Sequence, residues 1–281
     1  MKLSKAIQLT LPSWVGMKSE GQLTQAANKI LKELGDVELS TIDLKELNKT
    51  IWGDLAPATR KKRCVIIGKI ITESGWEGDK PAAPKIKVNN SNPEYLTQTQ
   101  VDSILTACDS LDGDSKCNGA YFKQWITFLL ETGCRPYEAL ALTWDCLAKN
   151  HINMAIIKFK VTKNGKARTI PASKNVAAIL QNMGKNVSCS SARIWDRCSI
   201  RTFQNKWYEV SQIVGLPGTG WFSMYILRHT SASMMLQRGV PIASVSDYLG
   251  HSSLEITRRY AKLGGEQLME AANTFEVNEE F

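Results

Sequence analysis

Long apolar runs are missing from this chain: none approaches the roughly 18 residues of a membrane-spanning helix. Residues Met1 to Thr10 also lack the basic-then-apolar build of a secretion leader. The seven cysteines, at 64, 108, 117, 134, 146, 189 and 198, form no CxxC pair and no zinc spacing. Seven is odd, so at least one stays unpaired. Reduced thiols in a cytoplasmic protein are expected, with no metal and no cofactor. Gly215-Leu-Pro-Gly218-Thr-Gly220 follows no strand signal, which excludes a dinucleotide-binding loop. Asp112-Gly-Asp114 lacks the remaining ligand positions of a calcium loop and reads as a plain loop.

What is present suits a globular protein with a basic balance. The 281 residues favour two domains over one, and a hydrophobic content of 43% is enough for real cores. Lys and Arg number 35 against 27 Asp and Glu, a net charge of +8, which favours a polyanionic partner. The excess is denser early: residues 1–88 hold 15 basic and 10 acidic side chains, the remainder 20 and 17.

Residues 11 to about 78 read as short amphipathic helices. Leu23, Ala26, Ala27, Ile30, Leu31 and Leu34 keep helical spacing, and Gly35 closes that segment. The turn from Ser40 to Asp43 opens another helix. Pro57-Ala-Thr-Arg60-Lys61-Lys62-Arg63 leads into an apolar helix from Val65 to Ile71, and its four consecutive cations form the densest basic patch in the chain. A solvated helix face is the ordinary reading of such a run. Residues 79–93 are rich in Pro and Asn, carry Lys85 and Lys87, and read as an interdomain linker.

Beyond the linker, Thr97 and Gln100 have capping-box spacing and open a helix from about Gln98 to Cys108. An apolar helix follows from Phe122 to Leu130. In Gly133-Cys-Arg135-Pro-Tyr-Glu138, the glycine ends one helix and the proline starts the next, which leaves Arg135 at the junction. The one convincing β segment is 152–171. Two β-rich runs there flank Asn164-Gly165, a strong hairpin signal, with Lys163 just before the turn and Arg168 just after it. Helices are expected again from Asn175 to Met183 and from Phe203 to Val214.

The stretch from Tyr225 to Tyr260 reads as three short helices. The first runs from about Ile226 to Arg238 and stops at Gly239. Pro241 starts the second, Gly250 ends it, and Ser252 with Glu255 has the spacing of a capping box for the third. Arg228 and His251 fall beside helix ends, where phosphate is readily bound.

This constellation resembles the C-terminal signature of the tyrosine recombinase (phage integrase) family. Arg135, Lys163, Arg228, His251 and Tyr260 occur in the family's order, with 23 residues from Arg228 to His251 and 9 from His251 to Tyr260. The resemblance is specific over about 93–262 and only architectural over 11–78. It implies a mainly α protein with a small antiparallel β-sheet, built as a two-domain DNA clamp. A helical core-binding domain would span 1–78, a linker 79–93, the α+β catalytic domain 94–264, and a tail that docks on a neighbouring subunit 265–281. It implies double-stranded DNA as partner, assembly as a homotetramer in the synaptic complex, and no membrane association. Arg60, Lys61, Lys62, Arg63, Lys85, Lys87 and Arg168 would contact DNA.

The implied chemistry is cleavage and rejoining of DNA through a 3′-phosphotyrosine on Tyr260, with Arg135 and Arg228 on the scissile phosphate, Lys163 as acid and His251 assisting. Neither ATP nor an obligatory metal is required. The chain departs from the pattern at Tyr225, where most members carry His, and phenol is a poor base at neutral pH. His229 reads as a packed helix residue and His151 as a surface or turn residue. A phage or mobile-element integrase fits better than a chromosome-dimer resolvase, and the N-terminal segment looks too short for a separate arm-site-binding domain. Two alternatives stay open: a non-catalytic DNA-binding regulator with a decayed site, and a topoisomerase-like strand transferase.

Overall fold

The computed structural model describes residues 1–17, 19–87, 94–111, 117–149, 155–160, 167–186, 188–217 and 223–261. Lys163, His151, the Asn164-Gly165 turn, the Asp112–Asp114 segment and the tail 265–281 lie outside them. The chain divides into two compact units, Met1–Asn90 and Ser91–Phe281.

The first unit is helical: α1 (Leu3–Trp14), α2 (Glu20–Leu34), α3 (Leu44–Lys49) and α4 (Pro57–Glu73). Helix α1 begins well before residue 11, where the sequence reading started its helices, and it tolerates Pro12 inside its last turn. Asp43 caps α3 by accepting from the backbone N–H groups of Lys45 and Glu46, which satisfies two donors that a helix start leaves free. Pro57 opens α4 at a position where its missing N–H costs nothing. The core gathers Leu3, Trp14, Ile30, Trp52, Ile67 and Ile70. Its two buried indoles find carboxylates: Trp14 donates to Glu73 at 2.7 Å and Trp52 to Glu33 at 3.1 Å. Ile86 also packs on this core, so the chain is still anchored there well into the expected linker, while Lys85 and Lys87 are exposed.

Arg63 corrects the reading of the basic run. Lys61 and Lys62 are exposed, but helical geometry turns Arg63 inward. It is 6% exposed, donates to Glu33 at 2.7 Å and lies over the Trp52 ring. It therefore presents no surface to DNA.

The second unit starts with α5 (Gln98–Ala107), opened by the reciprocal Thr97–Gln100 capping box, and α6 (Gly119–Thr132), capped by Asn118. The short α7 (Pro136–Leu140) comes next, then strands β1 (Leu147–Lys149), β2 (Ala155–Phe159) and β3 (Arg168–Pro171). These form an antiparallel sheet in the order β1-β2-β3, with Ile157 opposite both Leu147 and Ile170. The sequence reading found the β2–β3 pair but not β1, whose three residues are too few for a visible period of two. Helices α8 (Lys174–Met183), α9 (Ile200–Ile213), α10 (Ile226–Gln237), α11 (Ile242–Leu249) and α12 (Leu254–Ala261) complete the unit. Helix α12 begins at Leu254, so Ser253 flanks it rather than Ser252.

An aromatic cluster holds the unit together. Trp125 of α6 stacks on Phe203 of α9 at 4.1 Å between ring centroids, and Trp195 meets Trp125 edge-on at 5.1 Å. Such contacts fix ring geometry as well as burying area. Helix α10 packs on α6, and α11 and α12 close over α10 with a smaller core of Ala232, Leu236, Val245, Leu249 and Tyr260. None of the seven cysteines is in a disulfide.

Candidate active site

Three helix ends in the second unit converge because two glycines allow it. Gly133 ends α6 with φ 57° and Gly250 ends α11 with φ 67°, the left-handed conformation that glycine adopts without strain. Space is also decisive. A Cβ on Gly133 would lie 2.3 Å from Leu249 Cδ2, and one on Gly250 would lie 2.7 Å from Arg168 Cδ.

Arg228, in the first turn of α10, ties these ends together. It is 2% exposed and donates from Nη1 to the Gly133 carbonyl and from Nη2 to the Leu249 carbonyl, each at 2.7 Å. These are carbonyls that helix termini leave unpaired. Among the described residues no carboxylate is ion-paired with Arg228. Burial, then the charge of Arg135, pulls its guanidinium down to about 10, which leaves it protonated at neutral pH.

Arg135 sits just before α7, where the chain turns from Gly133 into Pro136. Its Nη1 donates to Glu138 Oε1 at 2.6 Å and its Nε to the Tyr225 hydroxyl at 2.8 Å. Glu138 is 4% exposed and also accepts from Arg168 Nη2 at 2.9 Å. Burial works to raise this carboxyl, but the Arg168 and Arg135 partners outweigh it and hold it below the ordinary value. Two guanidiniums thus share one carboxylate.

Arg168 itself corrects an expectation. Its side chain is only 8% exposed, donates to the Tyr248 carbonyl at 3.2 Å and covers the Phe159 ring. It joins β3, α11 and Glu138 and offers no DNA-facing surface.

Tyr260, on α12, is 4% exposed. Its hydroxyl lies 2.6 Å from His229 Nδ1, and its ring is nearly parallel to that of His251, with centroids 6.3 Å apart. Burial raises the Tyr260 phenol above its usual value, and the charges of Arg228 and Arg259 partly offset that. His251 follows Gly250, and its Nδ1 lies 2.7 Å from Thr257 Oγ1. Both imidazoles are held down to about 4, by burial first and then by nearby arginines, so both are neutral at pH 7. Tyr225 is 39% exposed and meets the His229 ring edge-on.

The structure therefore brings together Arg135, Tyr225, Arg228, His251 and Tyr260. It leaves Arg60, Lys61, Lys62, Lys85 and Lys87 in the first unit, and Lys163 lies outside the described residues. Sequence reasoning missed that Arg168 shares the Glu138 carboxylate with Arg135, and it placed His229 in the packing. A usable signal existed for His229: one turn after Tyr225 on the same helix, it shares that residue's face.

Comparisons with known proteins bear on the family and the fold. A sequence model described as the phage integrase family matches residues 94–266, more than half of the chain. The chain is 27% identical over 187 residues to the tyrosine recombinase XerC of Roseiflexus sp. (strain RS-1), covering 63% of this chain and 58% of that protein. To the integrase of Escherichia phage 186 it is 26% identical over 198 residues, covering 70% of this chain and 52% of the integrase. The matches thus span little more than half the length of those relatives. In fold, it is similar to the XerH site-specific recombinase solved bound to difH substrate: TM-score 0.70 at 20% identity, covering 94% of this chain and 81% of that one.

Proposed function

The chain belongs to the phage integrase family, and we propose that it is a site-specific tyrosine recombinase that cuts and rejoins double-stranded DNA. The observation that carries this reading is the convergence of Arg135, Arg228 and Tyr260, with Arg228 buried and, among the described residues, in no ion pair with a carboxylate. A cation placed this way is suited to an incoming anion, and phosphate supplies one.

In this reading the Tyr260 oxygen attacks the scissile phosphorus and displaces the 5′ oxygen, leaving a 3′-phosphotyrosine that conserves the bond energy. Charge builds on the non-bridging oxygens as the new bond forms. Arg135 and Arg228 stabilise it with donors held in place beforehand by Glu138 and by two helix-end carbonyls. His251 adds a hydrogen bond to the phosphate, and Tyr225 orients Arg135 through its Nε. Lys163 protonates the 5′ oxygen. Attack by a 5′-hydroxyl from a partner strand reverses the step.

The first unit acts as the core-binding domain, with exposed Lys61 and Lys62, part-buried Arg60, and Lys85 and Lys87 on DNA phosphates. The assembly on DNA is a homotetramer docked through residues 265–281. The finer reading is a phage or mobile-element integrase, because Tyr225 stands where dimer-resolving relatives usually keep His.

Covalent trapping tests this. DNA flanking the gene is incubated with protein, denatured in detergent and searched for attached protein. An adduct with wild type that vanishes in Tyr260→Phe is the expected result. Tight, specific binding without an adduct sinks the catalytic reading in favour of a regulator.

A further inference from the structure

The recombinase reading leaves the Tyr260 proton without an acceptor, because the residue in the usual histidine position is Tyr225. Its hydroxyl is occupied with Arg135 Nε at 2.8 Å. His251 shares its Nδ1 with Thr257 Oγ1 at 2.7 Å, and only its ring face approaches Tyr260. Among the described residues the remaining imidazole near the nucleophile is that of His229 on α10, four residues after Tyr225. Its Nδ1 lies 2.6 Å from the Tyr260 hydroxyl, within direct transfer distance.

We propose that His229 is the general base of strand cleavage in this chain, taking the phenol proton directly from Tyr260. With the ring's own proton on Nε2, Nδ1 presents its lone pair to the phenol. As the bond from the Tyr260 oxygen to phosphorus forms, that proton moves to Nδ1. The bond from phosphorus to the 5′ oxygen breaks with its electron pair, and the acid of the site protonates that oxygen. In rejoining, His229 returns its proton to the departing Tyr260 oxygen, so the cycle closes with no net proton change on the pair.

The charged surroundings make this base depend on substrate. Among the described residues the groups facing His229 are Tyr225 at the start of α10, Arg228 on α10, His251 ahead of α12, and Arg259 and Tyr260 on α12. Burial, Arg259 and Arg228 keep the ring neutral in the free protein. DNA phosphate compensates those arginines, and the proton affinity of His229 rises when there is a strand to cut. A neutral imidazole that strengthens on binding is suited to accept a proton only in the complex.

The inference rests on the recombinase reading, and the experiment separates the two. First-order rates of adduct formation are measured from pH 6 to 9.5 with the flanking DNA, at saturating protein, for wild type and His229→Gln. Glutamine can accept the phenol hydrogen bond but cannot take the proton. The expected loss at pH 7.5 is about 10²-fold. The gap should narrow as pH rises and the phenol ionises unaided, with DNA affinity and thermal midpoint retained. An equal loss at every pH, or rates within about threefold, overturns the base assignment while leaving Tyr260 as nucleophile. No adduct from wild type removes the recombinase reading and this inference together. Nitrogen NMR of histidine-labelled wild type needs no variant: an unprotonated Nδ1 on His229 at neutral pH is expected, and a protonated one overturns the proposal.

Discussion

Two buried arginines, one in each unit, are solved in opposite ways. Arg63 is 6% exposed, and Arg228 is 2% exposed. Arg63 meets Glu33 at 2.7 Å and spreads over Trp52, so its charge is used up inside the fold. Among the described residues Arg228 donates to two backbone carbonyls and is in no ion pair, and its like-charged neighbour Arg135 weakens its hold on its proton. Burying a cation without a counterion is costly, and a fold bears that cost when an anion from outside completes the site. The same residue type at similar burial thus marks structure in one unit and a site in the other.

The sharpest way to break this comparison is to remove each cation in turn. Arg228→Ala should lower adduct formation by about 10³-fold or more, because the phosphate loses a fixed forked donor. It should also lower stability, since the Gly133 and Leu249 carbonyls lose their partners. Arg63→Met should cost about 2 kcal/mol in denaturant unfolding, because the partly exposed Glu33 retains access to water. Its adduct yield per folded molecule should hold. Equal catalytic losses would mean that burial without a counterion carries no functional meaning here.

A smaller effect comes with pH. His229 and His251 bind protons near 4 in the folded protein against 6.5 as free groups. Between those values the unfolded chain takes up more protons, so the stability they contribute is full above pH 6.5 and is lost on acidification toward 4. Glu138, held below its ordinary 4.5, adds a further loss at lower pH still. Residues 1–90 contain no histidine. Calorimetry should show the second unit's transition falling on the order of 5 °C from pH 6.5 to 5 while the first unit's holds. Parallel movement of both would rule out the histidines as the cause.

The smallest expected effects lie on α4. Lys61→Ala and Lys62→Ala should each weaken DNA binding modestly and reduce the slope of log affinity against log salt by about one. Arg63→Met should leave the slope alone. A slope change with Arg63→Met but not with the lysines would reverse the inside–outside assignment.

Much of this was readable from residues in order. Helix starts and stops were legible at Asp43, Thr97, Gly133, Pro136 and Gly250, because caps and breakers act within a few residues of themselves. Strand β1 was not, since its pairing with β2 is decided across the sheet and not by its own three residues. Arg63 and Arg168 read as surface cations because sequence supplies charge but not direction. Glu33, Trp52, Glu138 and Phe159, which turned them inward, come from other elements.

The sequence by itself determined the order and spacing of Arg135, Lys163, Arg228, His251 and Tyr260, the punctuation around them, and the substitution of Tyr225. Local covalent geometry and short-range hydrogen bonds suffice for that. Only the tertiary structure decided which imidazole touches Tyr260, that Arg168 shares the Glu138 carboxylate, and which buried arginine is, among the described residues, in no ion pair. Those are distances between elements, set by how α6, α10, α11 and α12 pack, and packing is a property of the whole unit.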